Sequence, residues 1–345
     1  MIKQITNYLK RKDIEISIRR YGIDALGHMA LGLFGSLIVG LILRELGDKL
    51  GIAFFIETVW PIANDMTGPA IGVAVAYGLN APPLVIFSSA ISGMAGAEVG
   101  GPAGAFLGAV VGAELGKLVS KETKIDIVLT PAVTIITGTY IGSRVGPMLD
   151  FLMSEVIGDF LIYATELHPI PMGAIIAVSM GLLLTFPVSS AALAIMLDLS
   201  GIAAGAAAVG CASQMIGFAV SSYRENKIGG LLAQGIGTSM LQIPNIVKNP
   251  LILIPPTLTS AILGPFVTTI FRMENTKEGA GMGTSGFVGQ FGTIAAMEGQ
   301  GFQTFEIYFR MFAFHFIFPA IIALIISELM RKKGYINSGD MKLDI

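Results

Sequence analysis

The chain has 345 residues and a formal net charge of −2; 53% of its residues are hydrophobic, 13% are charged, and its mean hydropathy is +0.73. This composition excludes an ordinary soluble domain and predicts a polytopic membrane protein. The charge, without a basic stripe, argues against nucleic acid as a partner, and one cysteine with three scattered histidines offers neither a disulfide framework within the chain nor a metal site.

The chain begins with a basic, amphipathic stretch, residues 1–20, that lacks a signal-peptide cleavage site and predicts a cytoplasmic amphipathic helix. About ten membrane crossings are predicted after it, because a crossing needs roughly 20 largely apolar residues. Six stretches are clear, and four more are interrupted by proline or glycine: 25–43, 102–119, 125–146, 201–222, 250–271 and 304–329, then 52–80, 82–97, 170–186 and 187–199.

Lysine and arginine cluster at four places: the N-terminus, 117–124, 224–227 and 331–333. The positive-inside rule places all four clusters in the cytoplasm. We therefore predict an even number of crossings with both the N-terminus and the C-terminus in the cytoplasm.

Two sequence patterns recur along the chain: 81–85 resembles 185–189, and 127–134 resembles 252–259. They predict two parallel four-helix repeats, an arrangement familiar in transporters. We expect a first membrane half at 21–146 and a second at 169–332, joined by an acidic amphipathic linker on the outer surface at 147–168. Residues 333–345 form a predicted cytoplasmic tail.

The second half repeats the phrase Gly-x-Gly-Thr-Ser, at 235–239 and at 281–285. We name the surrounding stretches, 233–245 and 281–293, the first and second GxGTS segments. Dense glycine interrupts a helix, and broken backbone at membrane depth occurs only where it is buried in protein or lines a wet cavity. We therefore predict two re-entrant or broken-helix loops that form a solute site. The predicted ligands are Gly237, Thr238, Ser239, Gln242, Asn245, Gly283, Thr284, Ser285, Gln290 and Glu298.

Three alternatives stay open at this point. Both segments have a second interpretation, as tight connectors whose serine and threonine side chains cap helices, although capping alone explains the repetition of the phrase less well. Glu298 is either a solute ligand at membrane depth or a residue of the outer interface. His315, flanked by phenylalanines, is better read as a packed, hydrogen-bonded residue than as a proton carrier.

No catalytic machinery is evident in the sequence. No nucleophile–base–acid set, P-loop or zinc signature is present, so we expect neither catalytic residues nor a cofactor. Cys211 has small neighbours and is read as an inert packing residue.

The tandem four-helix plan, the glycine-rich stretch 93–102 and the second GxGTS segment resemble the membrane IIC-type proteins of the bacterial phosphotransferase system. In particular, they resemble the branch that contains the clostridial perfringolysin regulator PfoR. The resemblance covers about residues 20–332. It implies a homodimer in the bacterial cell membrane whose C-terminal half binds a sugar and moves like an elevator. It also implies separate cytoplasmic IIA and IIB proteins, because no cysteine lies in a phosphate-accepting loop.

The function predicted from the sequence is a IIC-like permease that moves a sugar or a similar small polar solute by alternating access. Within a phosphotransferase system it would be at most the permease subunit. The alternative is a ligand-binding membrane sensor that regulates gene expression without net transport. An ion channel is a third, weaker hypothesis.

Overall fold

The computed structural model describes residues 2–298 and 301–343. It is 82% helical, and its described residues form no strand beyond one isolated bridge between Gly201 and Asn275. The prediction of an all-α membrane protein is confirmed.

Five helical segments among the described residues are long and apolar enough to cross a membrane. They are Arg20–Asp48, Pro83–Val119, Gly201–Ser221, Pro250–Thr269 and Thr304–Lys332. Each one overlaps a stretch predicted from hydropathy, because an unbroken apolar run satisfies its backbone hydrogen bonds most simply as a helix. The total of about ten crossings stays a prediction.

The chain divides into two compact units, residues 1–152 and 153–345. The helices of unit 1 are α1 (Ile2–Arg11), α2 (Arg20–Asp48), α3 (Trp60–Asp65), α4 (Thr67–Gly78), α5 (Pro83–Val119) and α6 (Asp126–Phe151). Helix α2 begins with a π-helical turn, Arg20–Ala25, and contains another at Phe34–Ile38. A third π-helical turn, Phe55–Val59, precedes α3.

Glycine brings the helices of unit 1 close together. Helix α5 packs against both α4 and α6, and a Cβ added at Gly112 would lie 2.8 Å from the Thr134 carbonyl oxygen of α6. Helix α5 is kinked at Gly100 and Gly101, directly before Pro102, where Gly101 has a φ of +55°. Proline cannot donate to the helix ladder, and only glycine adopts this φ at little cost.

Unit 2 contains three of the five helical segments that are long and apolar enough to cross a membrane among the described residues. Its described helices are α7 (Gly158–Thr165), α8 (Pro169–Thr185), α9 (Ser190–Met196), α10 (Gly201–Ser221), α11 (Tyr223–Leu232), α12 (Ile243–Lys248), α13 (Pro250–Thr269), α14 (Lys277–Ala280), α15 (Val288–Glu298) and α16 (Thr304–Lys332). The predicted linker 147–168 contains the boundary between the units and is helical on both sides of it, including a π-helical turn at Leu152–Ile157.

Helix α10 is the centre of unit 2, because 89% of its most apolar 18-residue stretch is buried inside the protein. It contacts α8, α13 and α16. Its small residues allow this crowding: a Cβ added at Gly210 would lie 1.9 Å from the Ala177 carbonyl oxygen of α8. Cys211 is fully buried here, and its thiol donates to the Met180 carbonyl oxygen at 3.4 Å.

Candidate functional site

Both GxGTS segments are interrupted helices, and they contact each other. In the first, the π-helical turn Ala233–Gly237 ends at Thr238, whose extended backbone (φ −158°, ψ 142°) separates it from the following 3-10 turn. In the second, Gly283 and Gly286 both have a φ of +54°, which breaks the helix. The turn Ala233–Gly237 packs against Ser285–Phe287. Two breaks in the helical backbone therefore meet inside unit 2.

Helix α10 supports both segments. The backbone of Gly283 lies so close to α10 that an added Cβ would be 2.6 Å from the Ala212 nitrogen. The neighbouring carbonyl oxygen of Gly281 accepts a hydrogen bond from the Ser190 hydroxyl at 2.7 Å. The first segment also contacts α10. The glycines of the repeated phrase thus serve close packing as well as backbone bending.

The second segment and α16 contain buried polar atoms that lack hydrogen-bond partners among the described residues. They are Ser285 Oγ, Gln290 Oε1 and His315 Nε2. Nε2 of Gln290 lies 2.7 Å from Nδ1 of His315. With the carboxamide nitrogen as donor, Nδ1 accepts and the ring proton is on Nε2. The pair then offers one free donor, the His315 N–H, and one free acceptor, the Gln290 oxygen.

The hydroxyls of the first segment are satisfied inside the protein. Thr238 Oγ1 accepts a hydrogen bond from the Met240 N–H at 3.1 Å, which is the capping role considered as the alternative for these residues. Ser239 Oγ lies 2.9 Å from Thr185 Oγ1 of α8, with both side chains fully buried. Capping therefore accounts for Thr238 but not for Ser239.

Two predicted ligands, Gln242 and Asn245, are bound by a distant part of the chain. Gln242 Nε2 donates to the Met341 carbonyl oxygen at 3.0 Å, and Asn245 Nδ2 donates to the Lys342 carbonyl oxygen at 2.8 Å. They also bond each other, from Asn245 Nδ2 to Gln242 Oε1 at 2.9 Å. These carboxamides are engaged by residues 333–343, which the sequence predicted only as a cytoplasmic tail.

The remaining predicted ligands occupy different surroundings. Gly237 is buried in the first segment. Thr284 Oγ1 donates to the Met215 sulfur at 3.4 Å and is fully buried. Glu298 is exposed at the end of α15, and the next two residues, 299 and 300, lie outside the described residues. Thr284 and Ser285 therefore belong to the buried contact, whereas Glu298 is on the surface of its unit.

Sequence reasoning missed Gln214, which links three helices. Gln214 is fully buried in α10, donates from Nε2 to Thr257 Oγ1 of α13 at 3.0 Å, and has its Oε1 atom 3.4 Å from Thr185 Oγ1 of α8. Through Thr185 it reaches Ser239 of the first segment. A carboxamide within an otherwise small and apolar helix was the available signal, because polar side chains at membrane depth need partners.

The arrangement suits an uncharged, hydrogen-bonding ligand. Ser285, Gln290 and Ser239 are neutral side chains that donate and accept hydrogen bonds. Across residues 2–298 and 301–343, no group of three or more His, Cys, Asp or Glu side chains is placed to hold a metal ion.

A family model described as "Phosphotransferase system, EIIC" matches residues 23–343 of the chain. The match includes both GxGTS segments, helix α10 and the docked residues 333–343. Searches of curated proteins and of solved structures returned no match.

Proposed function

The chain belongs to the EIIC family of the phosphotransferase system, and on that basis we propose that it carries a sugar or a similar polyhydroxylated solute between its two GxGTS segments. Family membership and the apolar helices make it a multi-pass membrane protein, the permease component of a sugar phosphotransferase system. Such a component usually works with cytoplasmic IIA and IIB proteins.

The observation that carries the proposal is the group of unpartnered polar atoms on Ser285, Gln290 and His315. A buried polar group without a hydrogen bond costs free energy, about 1–3 kcal/mol in protein mutational data. A sugar hydroxyl donates one hydrogen bond and accepts others, so it matches the free acceptor on Gln290 and the free donor on His315. Hydrogen bonds to such a solute would remove this cost.

An elevator-type movement is supported by where these groups lie in the chain. Both GxGTS segments, α10 and His315 belong to unit 2, so a solute held by them would travel with that unit as one body. We propose that unit 2 moves the solute and that the protein is a homodimer, as the family resemblance implies. The alternative function, a membrane sensor of the PfoR-like branch, uses the same site but produces no net flux.

The test uses Ser285→Ala and Gln290→Ala, with Gln303→Ala as the matched control because Gln303 is an exposed carboxamide of the same unit. Binding of a panel of neutral hexoses and hexitols to the purified protein is measured by calorimetry. Each site variant should weaken binding about 3- to 10-fold, which corresponds to the loss of one neutral hydrogen bond. The control should bind like the wild type.

Wild-type affinity in both Ser285→Ala and Gln290→Ala would show that these side chains do not bind the solute, and the proposed site would be wrong. Uptake of the bound sugar into proteoliposomes then separates the two functions. Net uptake supports the permease, whereas binding without uptake supports the sensor.

A further inference from the structure

Residues 333–343 form no helix or strand, yet they are docked against unit 2 by hydrogen bonds to their backbone. Asn226 holds them from two sides: its Nδ2 donates to the Met341 carbonyl oxygen and its Oδ1 accepts from the Leu343 N–H, both at 2.8 Å. Gln242 and Asn245 donate to the carbonyl oxygens of Met341 and Lys342. These three carboxamides line the groove in which the segment, a series of turns, lies.

Three apolar side chains fix the register of the segment. Ile336, Met341 and Leu343 are 2%, 0% and 7% exposed, although most residues between them are exposed. Ile336 and Met341 join a small buried cluster of their own, completed by Phe218, Ile246, Ile252 and Met330. The cluster is separate from the large core cluster of unit 2, so the segment can leave without dismantling that core.

Polar and charged side chains surround the groove. Asn249 Nδ2 donates to Asp340 Oδ2 at 2.8 Å, and the Glu225 carboxylate accepts from the Gly339 N–H at 3.2 Å and from Arg331 Nη2 at 3.0 Å. The Glu225 carboxylate keeps Arg331 as its partner when the segment undocks, because Arg331 lies in α16, so release leaves no unpaired charge there.

The groove is connected directly to the first GxGTS segment. Gln242, which holds Met341, also donates from Nε2 to Gln234 Oε1 at 2.8 Å, and Gln234 Nε2 donates to Ser222 Oγ at 2.9 Å. Gln234 and Gln242 are both fully buried. The docked residues therefore complete a hydrogen-bond network that includes Gln234, Gln242 and Asn245 of the first GxGTS segment.

We propose that residues 333–343 are a latch: docked, they hold the first GxGTS segment in its present conformation, and this segment rearranges only when they are released. Where the latch concerns solute passage, it rests on the proposed function. A carboxamide network missing its backbone partners holds its members less firmly, because each lost acceptor leaves a donor unpaired. Release would therefore leave the first GxGTS segment less restrained where it contacts the second.

The first test measures restraint without any solute. Cys211 is replaced by alanine, and Met240→Cys places a reporter thiol in the first segment, where Met240 is 4% exposed. Met341→Lys forces a charge into the apolar cluster and undocks the segment; Ser338→Lys adds the same charge at an exposed neighbour and is the control. Met341→Lys should accelerate alkylation of the reporter about tenfold or more, while the control leaves the rate unchanged. Equal rates in both variants would overturn the latch.

The second test prevents release. The side chains of Asn249 and Asp340 already meet, so the pair Asn249→Cys and Asp340→Cys in the Cys211→Ala background can be oxidised to tie the segment down. Oxidation should abolish sugar uptake into proteoliposomes, and reductant should restore it; each single-cysteine variant is the control. Full uptake by quantitatively crosslinked protein would overturn the latch. If the wild type takes up no sugar at all, the proposed function fails, and the alkylation rates still decide whether residues 333–343 restrain the first segment.

Discussion

At the scale of single residues, the contrast between buried and exposed ion pairs is the clearest energetic feature. Lys117 is 2% exposed at the end of α5; its Nζ donates to the Leu79 carbonyl oxygen at 2.9 Å and lies 3.2 Å from Glu114 Oε2. Arg20 completes the group, and its hydrogen bond lowers the pKa of Asp13 below the ordinary 3.8, so Asp13 stays a carboxylate. The pair formed by Lys277 and Asp198 is exposed.

Lys117→Met should destabilise the protein by about 3 kcal/mol, because it leaves the Glu114 carboxylate buried without its closest cation. Adding Glu114→Gln should recover much of the loss, since a neutral side chain needs no counter-charge. Thermal unfolding in detergent, followed by circular dichroism, measures both effects. Lys277→Met is the control and should change stability by no more than about 0.5 kcal/mol, as expected for an exposed pair. A double variant no more stable than Lys117→Met would contradict the charge argument.

At the scale of helices, α8 and α13 approach each other through a reciprocal pair of glycines. A Cβ added at Gly264 would lie 2.1 Å from the Gly173 carbonyl oxygen, and one added at Gly173 would lie 2.5 Å from the Gly264 carbonyl oxygen. Both obstacles are backbone, which cannot move aside like a side chain. This small-residue contact is the kind that drives helix association where no hydrophobic effect acts.

Gly264→Ala should therefore destabilise unit 2 by about 1–3 kcal/mol, the usual cost of overpacking. Gly35→Ala is the matched control, because no atom lies within 4 Å of a Cβ at Gly35. The midpoint of thermal unfolding in detergent should fall for the first variant and stay constant or rise for the second. Equal midpoints would show that α8 and α13 can separate without cost.

Element bounds were predictable where one local property dominates. The apolar run 201–222 became Gly201–Ser221, and 304–329 became Thr304–Lys332, because hydropathy alone decides which stretch is helical in a membrane. The breaks at 235–239 and 281–285 were predictable because glycine content marks them. The π-helical turns, such as Phe34–Ile38, were not, since they follow from packing that leaves no signature in composition.

The candidate site was predictable only in part, for a related reason. Ser285 belongs to a repeated phrase, which a single sequence reveals, and Gln290 lies five residues after it. The contacts of Gln214 with Thr257 and of Gln242 with Met341 join residues that are 43 and 99 positions apart in the sequence and lie on separate elements. A single hydrogen bond of this kind has no periodicity, so only the folded chain shows it.

At the scale of the whole molecule, both interrupted segments lie in unit 2, as do His315, which bonds Gln290, and Met341, which bonds Gln242. The predicted repeat would account for the first GxGTS segment. Its two pairs of matching patterns lie 104 and 125 residues apart, so the second copy would carry about 21 extra residues, at about 223–248, and these include the first segment.

The distribution of charge predicts the orientation of the chain in the membrane. Lys117, Lys121 and Lys124 lie together at the end of α5 and in the turn before α6, whereas the linker that contains Glu155, Asp159 and Glu166 is acidic. Because the positive-inside rule places lysine-rich and arginine-rich loops in the cytoplasm, we expect residues 121–124 to face the cytoplasm and residues 147–168 to face outward.

Single cysteines in the Cys211→Ala background test this topology, because Lys124 and Glu166 are both exposed on their units. A membrane-impermeant maleimide should label Glu166→Cys in intact cells and should label Lys124→Cys only after permeabilisation. Ser338→Cys, in residues 333–343, should behave like Lys124→Cys if an even number of crossings separates it from the N-terminus. The reverse labelling pattern would show that the protein has the opposite orientation in the bilayer. Labelling of Ser338→Cys together with Glu166→Cys in intact cells would instead require an even number of crossings in the second half, and the latch would then close the site from outside.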